Sequence, residues 1–249
     1  MSNLYKYVLR LADTNIVLSH RLSENCGHGP YLEEDLAISN TALDLLGAGE
    51  QYMMYAAELS DKDVSADDLT FRRISTEYFN LQIAEMPNNG FGGIMARQFF
   101  FDVYNFYLNE ELVKSKDERI SAIAEKSLKE VTYHLRRSSE WIIRLGDGTE
   151  ESKKRIQTAL NDLWFYTNEM FVMDDVDAAM LESGIAPDLS EIKVKWEAKV
   201  QEILTMAKLE KPVSKYFAHG SKNGIHTEHL GFLLAEMQYI PRSYPDAKW

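Results

Sequence analysis

Leu4, Val8, Leu11, Asn15, Leu18 and Leu22 recur at steps of three and four residues, the spacing that gathers one stripe of a helix toward a core. This predicts a first helix over about 4–22. Gly27, Gly29 and Pro30 break it, and Leu32, Leu36, Leu43 and Leu46, continued by 51–55, predict a long second helix to about residue 60. Gly47 and Gly49 inside it cost about 1 kcal/mol each relative to alanine, a loss that close helix packing would offset. The acidic stretch 61–68 reads as a loop. A third helix is predicted through Phe71, Ile74, Tyr78 and Leu81, closed by the turn Pro87-Asn88-Asn89-Gly90.

A fourth helix over about 92–114 presents Ile94, Phe99, Val103 and Phe106 on a wide apolar face that Asp102 shares. The fifth, over about 117–145, carries Ile120, Ile123, Leu128, Val131, Leu135 and Ile142 and stops at Gly146-Asp147-Gly148, where glycine can take the left-handed cap geometry. Thr149 is an N-cap for a sixth helix whose Glu150 and Glu151 complement the helix dipole and whose stripe runs Ile156, Leu160, Leu163, Thr167, Met170. Shorter helices are predicted at about 175–183 and 190–208. A polar connection through Lys211-Pro212 and 220–224 leads to a last helix over about 227–240. With no period-two strand and no fixed-length repeat, the fold class is all-α. Four long helices exceed the usual ~10 to 14 residues and favour a ferritin-like four-helix bundle with additional C-terminal helices, a single domain over 1–249.

Only 13 glycines and 6 prolines in 249 residues disfavour turn-rich sandwiches and barrels. The net charge of −12 repels a phosphate backbone and an anionic bilayer, so neither nucleic acid nor membrane is an expected partner. Cys26 is the one cysteine and cannot close an intramolecular disulfide, which fits a reducing compartment. Lys6 and Arg10 interrupt the first apolar stretch, and no 18 apolar residues run together. A cytoplasmic protein is expected.

Bundles of this size often hold two metal ions, through carboxylates from two helices and Glu-x-x-His from two others. The residues three before His20, His28, His134, His219, His226 and His229 are Val17, Asn25, Val131, Tyr216, Asn223 and His226. None is a carboxylate, so neither a metal nor another cofactor is expected. His134 reads as a satisfied core histidine and Asp102 as a buried or rim carboxylate, while the Glu130 to His134 spacing is common on exposed helix faces. The cluster His226-Thr227-Glu228-His229 is explained by Thr227 as an N-cap with Glu228 in the first turn. Phe99-Phe100-Phe101 and Trp164-Phe165-Tyr166 read as core. Gly-x-Gly-x-x-Gly, the phosphate loop and Gly-x-Ser-x-Gly are absent from the sequence, and Cys26 beside His28 does not by adjacency make an activated nucleophile.

Several stretches together carry a resemblance: Leu9-Arg10-Leu11-Ala12-Asp13, Leu18-Ser19-His20-Arg21-Leu22, Cys26-Gly27-His28-Gly29-Pro30, Leu43-Asp44-Leu45-Leu46-Gly47, Ala96-Arg97-Gln98-Phe99, His226-Thr227-Glu228-His229-Leu230-Gly231 and Leu234-Ala235-Glu236-Met237-Gln238-Tyr239. Over nearly the whole chain they resemble the C subunits of the bacterial 1,2-phenylacetyl-CoA epoxidases, the ring-epoxidising multicomponent oxygenases of aerobic phenylacetate breakdown. The resemblance implies a ferritin-like, structural and non-catalytic subunit without a cofactor. Its implied partner is the homologous catalytic A subunit, which holds the di-iron centre and binds the coenzyme A thioester. Self-association is left open. The ligand positions of the catalytic relatives fall near Asn15, Leu46, Gly49, Asp102, Val131 and His134, a degenerate di-iron site in which only Asp102 and His134 keep a side chain able to bind iron.

Interface residues are sought on the two N-terminal helices and the C-terminal one, with His226, Glu228, His229, Glu236, Gln238 and Arg242 as polar contacts. Two other readings stand beside this one. A free-standing ferritin-like di-iron oxidase or hydroxylase would use Asp102, Glu130 and His134 as unconventional ligands. A coenzyme A or acyl-carrier docking module would seat phosphate on Lys222-Asn223-Gly224 before a helix start.

Overall fold

The computed structural model describes residues 2–245 and 247. Among them there are eleven α-helices, three short 3-10 helices and no strand, so the fold is an all-α helical bundle. None of the helices is long and apolar enough to cross a membrane. The chain groups into two compact units, one built from residues up to Pro87 together with those from Gly220 on, the other from Asn88–His219.

The first unit is organised by α1 (Asn3–Ser23) and α2 (Leu32–Glu58), which pack along each other. Ser2 caps α1 by accepting from the Tyr5 N–H at 3.1 Å. The two helices lie close at Gly49, where a Cβ would stand 2.8 Å from Ile16 Cγ1. Gly47 behaves otherwise: a Cβ there would meet nothing within 4 Å, so no packing among the described residues calls for that glycine.

The predicted third helix does not form. In its place are α3 (Ala66–Phe71), a 3-10 turn at Ser75–Glu77 and α4 (Gln82–Glu85). Ser65 and Asp68 start α3 with a reciprocal capping box inside the stretch read as a loop. Beyond it, hydrogen bonds that a continuous helix would make internally run to α1 instead. Asp13 accepts from the Phe79 N–H at 2.9 Å, and the Thr14 hydroxyl accepts from the Leu81 N–H at 3.2 Å. Asp13 is fully buried and also receives the Arg73 guanidinium, Nη1 at 3.0 Å. The Arg73 guanidinium lies over the Tyr78 ring, 4.1 Å from its centre. Ile74 is exposed, so its apolar side chain belongs to no core stripe.

The predicted last helix is two, α10 (Glu228–Met237) and α11 (Tyr239–Ser243). Thr227 is the N-cap, accepting from the His229 N–H. Pro241 cannot donate an amide, and its ring would collide with the carbonyl four residues back, so the helix is interrupted at Gln238. That side chain is 3% exposed and donates to the Arg73 carbonyl at 2.8 Å and the Tyr78 hydroxyl at 3.0 Å.

The second unit contains α5 (Gly90–Leu112), α6 (Glu118–Gly146), α7 (Glu150–Trp164), a 3-10 turn at Asn168–Phe171, α8 (Asp175–Glu182) and α9 (Leu189–Met206). The end of the α7 stripe, Thr167 and Met170, is buried from the segment after the helix. Phe99, Phe100 and Phe101 are buried, and Phe100 meets Trp164 and Trp196 with ring centres 5.6 and 5.8 Å apart. Trp196 also donates its indole N–H to the Phe100 carbonyl at 2.8 Å. Phe165, expected in the core, is partly exposed.

Asp117 and Thr149 cap α6 and α7 through their side chains. Gly146 ends α6 without left-handed geometry. Its lack of a side chain instead lets α6 meet the end of α9, since a Cβ there would stand 2.9 Å from Ala207 Cβ.

Two stability tests follow from this packing. Gly49→Ala should destabilise by about 1–3 kcal/mol through overpacking against Ile16, whereas Gly47→Ala should stabilise by up to about 1 kcal/mol, both read by urea unfolding. Asp13→Ala strands the buried Arg73 cation and the Phe79 amide; a loss of about 3–5 kcal/mol is expected in the same assay.

Candidate functional site

The six positions set against di-iron ligands occupy four helices. In the first unit, Asn15 is on α1 and donates its amide to the Leu11 carbonyl at 2.8 Å. Gly49 is pressed against Ile16, the neighbour of Asn15, while Leu46 is 38% exposed and lies off the packed stripe of α2. In the second unit, Asp102 on α5 and Val131 and His134 on α6 are all buried.

The structure surrounds Asp102 with cationic and donor groups from these same two helices. The carboxylate, 2% exposed, accepts from Gln98 Nε2 at 3.4 Å and from the Ser138 hydroxyl, and it feels the charges of His134, Arg137 and Arg97. Arg97 is itself buried and donates to Asn88 Oδ1 at 2.8 Å. Burial pushes the Asp102 carboxyl up to about 6, with His134, Ser138, Arg137 and Arg97 pulling it back toward the ionised form.

The spacing makes the cluster possible. Gln98 stands one turn before Asp102, and Arg137 and Ser138 one turn after His134, so these pairs share a helical face; Arg97 is five residues before Asp102 on the same helix. Arg97 entered the sequence reading only within the stretch Ala96-Arg97-Gln98-Phe99, and Arg137 and Ser138 did not, although their spacing of three and four residues from His134 was the available signal. Glu130, one turn before His134, is only half-buried.

The second cluster lies wholly in the first unit. His226 Nε2 donates to the Tyr78 carbonyl at 2.8 Å and Nδ1 faces Glu85 Oε1 at 3.3 Å. Burial opposes a charge on His226, yet the Glu85 carboxylate and the Tyr78 carbonyl outweigh it and raise the imidazole pKa above its ordinary value. Burial likewise raises the Glu85 carboxyl, against the pull of His226. Arg21 donates to the carbonyls of Glu85 at 2.9 Å and His229 at 3.1 Å. His226 and Gln238 thus fasten segments within the first unit. Glu228, Glu236 and Arg242 are exposed and His229 is half-buried.

The loop through Lys222-Asn223-Gly224 is also engaged internally. Lys222 offers its carbonyl to Arg10 at 3.4 Å, and Gly224 lies against the Thr76 backbone. Three residues separate Gly224 from the start of α10, so the glycine does not open that helix. A cavity of about 390 Å³, lined in part by Tyr5, Leu9, Leu59 and Arg72, lies elsewhere in this unit.

Residues 1–249 match the family described as phenylacetic acid catabolic protein. The chain belongs to this family. It is 44% identical over 249 residues to the C subunit of the 1,2-phenylacetyl-CoA epoxidase of Escherichia coli K12, covering all of both chains.

Against that background the donor set can be judged for iron. Leu46, Gly49 and Val131 supply no metal-binding side chain, and the one buried carboxylate of the six positions already feels the positive charges of His134, Arg137 and Arg97. A divalent cation placed beside Asp102 would be repelled by Arg97 and Arg137. Among the described residues, no three of His, Cys, Asp and Glu gather as a metal site. The residues present do not fit a di-iron centre.

Folding shifts the Asp102 carboxyl from 3.8 to about 6, so the native state holds this proton more tightly than the unfolded chain. Its contribution to stability therefore falls as pH rises through that window. In Asp102→Asn this slope should vanish. The stability difference between wild type and variant should change by up to about 3 kcal/mol between pH 3.5 and 6.5, measured by urea unfolding at each pH.

Proposed function

We propose that this chain is the structural, non-catalytic subunit of a phenylacetyl-CoA epoxidase, a cytoplasmic ferritin-like protein that stabilises the homologous di-iron catalytic subunit in a hetero-oligomer. The observation that supports the non-catalytic half is the setting of Asp102: the buried carboxylate feels the charges of His134, Arg137 and Arg97, and no Glu-x-x-His pair occurs in the sequence. The end-to-end similarity to an epoxidase C subunit supports the place in phenylacetate catabolism and in a complex. In this role the helices brace a partner by burying apolar surface against it, which needs no reactive group.

Purified after expression in iron-supplemented medium, the chain should carry well under one iron per molecule and fail to oxygenate phenylacetyl-CoA when supplied with a reductase alone. It should co-elute with the catalytic subunit and raise that subunit's melting temperature. Two irons per chain by elemental analysis, or turnover without the partner, would instead identify a free-standing di-iron oxidase.

A further inference from the structure

We propose that the outward face of α2 is the surface on which the catalytic partner docks, through a helix with an apolar face edged by Lys or Arg. The assignment rests on the subunit reading above. At 100° per residue, Leu32, Leu36, Leu43, Leu46 and Met54 fall within one arc of about 80°. All five are exposed, Leu32 at 70% and Leu43 at 63%, while Ile38, Ala42, Leu45, Tyr52, Met53 and Ala56 are buried. A single exposed leucine is ordinary; five large apolar side chains in register along one helix are not. At 1.5 Å per residue the stripe runs about 33 Å, the length of a full helix-on-helix contact.

Gly47 supplies an independent observation. It lies on the same side of α2 between Leu43 and Met54, and a Cβ there would meet open space. Gly49 is required by Ile16; Gly47 is required by nothing among the described residues. A glycine on an open helix face leaves a flat place where another backbone can come close.

Charge selects the occupant. Six carboxylates lie on α2, at Glu33, Glu34, Asp35, Asp44, Glu50 and Glu58, with no Lys or Arg among its 27 residues. Glu50 is exposed on the line of the stripe itself. A second copy of this chain docked about a two-fold axis would set these acids against themselves. A different subunit bringing basic residues to the edges of its apolar face relieves that repulsion.

The test uses the full-length chain with the di-iron subunit from the same source. Leu43→Asp and Gly47→Phe should each weaken association at least tenfold by biolayer interferometry, with the helix content of the free chain unchanged. Glu50→Lys should weaken it and flatten its salt dependence. In the wild type, partner binding should slow amide hydrogen exchange over residues 32–54. If the wild-type chains do not associate, the subunit reading falls. If they associate while Leu43→Asp and Gly47→Phe bind within twofold of wild type, or the exchange of 32–54 is unmoved, the α2 assignment alone falls. A homodimer of the isolated chain that Leu43→Asp abolishes would overturn the choice of occupant.

Discussion

A carboxylate removed from water must be met by positive charge or strong donors, and three buried carboxylates set much of what is distinctive here. Asp13 takes Arg73 and a backbone amide, Glu85 takes His226, and Asp102 takes Gln98 and Ser138 under the influence of His134, Arg97 and Arg137. Each is answered from within its own unit. The first holds the irregular segment around Arg73 and Phe79 onto α1, and the second ties α4 to the segment just before α10. The third lies on one of two long helices, where it is one side of an internal charge cluster with His134, Arg137 and Arg97.

The long helices were legible because their apolar residues repeat over five turns or more, and local caps at Asp117, Thr149 and Thr227 agree with that repeat. The segment 61–87 was not. Its apolar residues happen to fall at helical spacing, but its amides are claimed by Asp13 and Thr14, some 66 residues away in sequence, and no local pattern announces such partners. The break before α11 was signalled by Pro241, outweighed in the reading by the apolar run around it.

At the site, the absence of Glu-x-x-His and the burial of Asp102 with His134 were both readable from residue type and period. The part played by Arg97 and Arg137 was hidden, since long basic side chains on a helix are ordinarily taken for its solvated face. Gly47 and Gly49, equivalent as letters two positions apart, part company in three dimensions because one faces Ile16 and the other faces outward.

The order in which the chain is made gives the divided first unit a consequence of its own. The second unit is one uninterrupted stretch, whereas the first joins residues before Pro87 to residues after Gly220. On a ribosome, α1 and α2 therefore emerge early but wait through more than half of translation for the segment bearing His226 and Gln238. For that interval Glu85, Arg73 and Tyr78 lack their late partners, and the nascent chain is a finished body tethered behind an unfinished one.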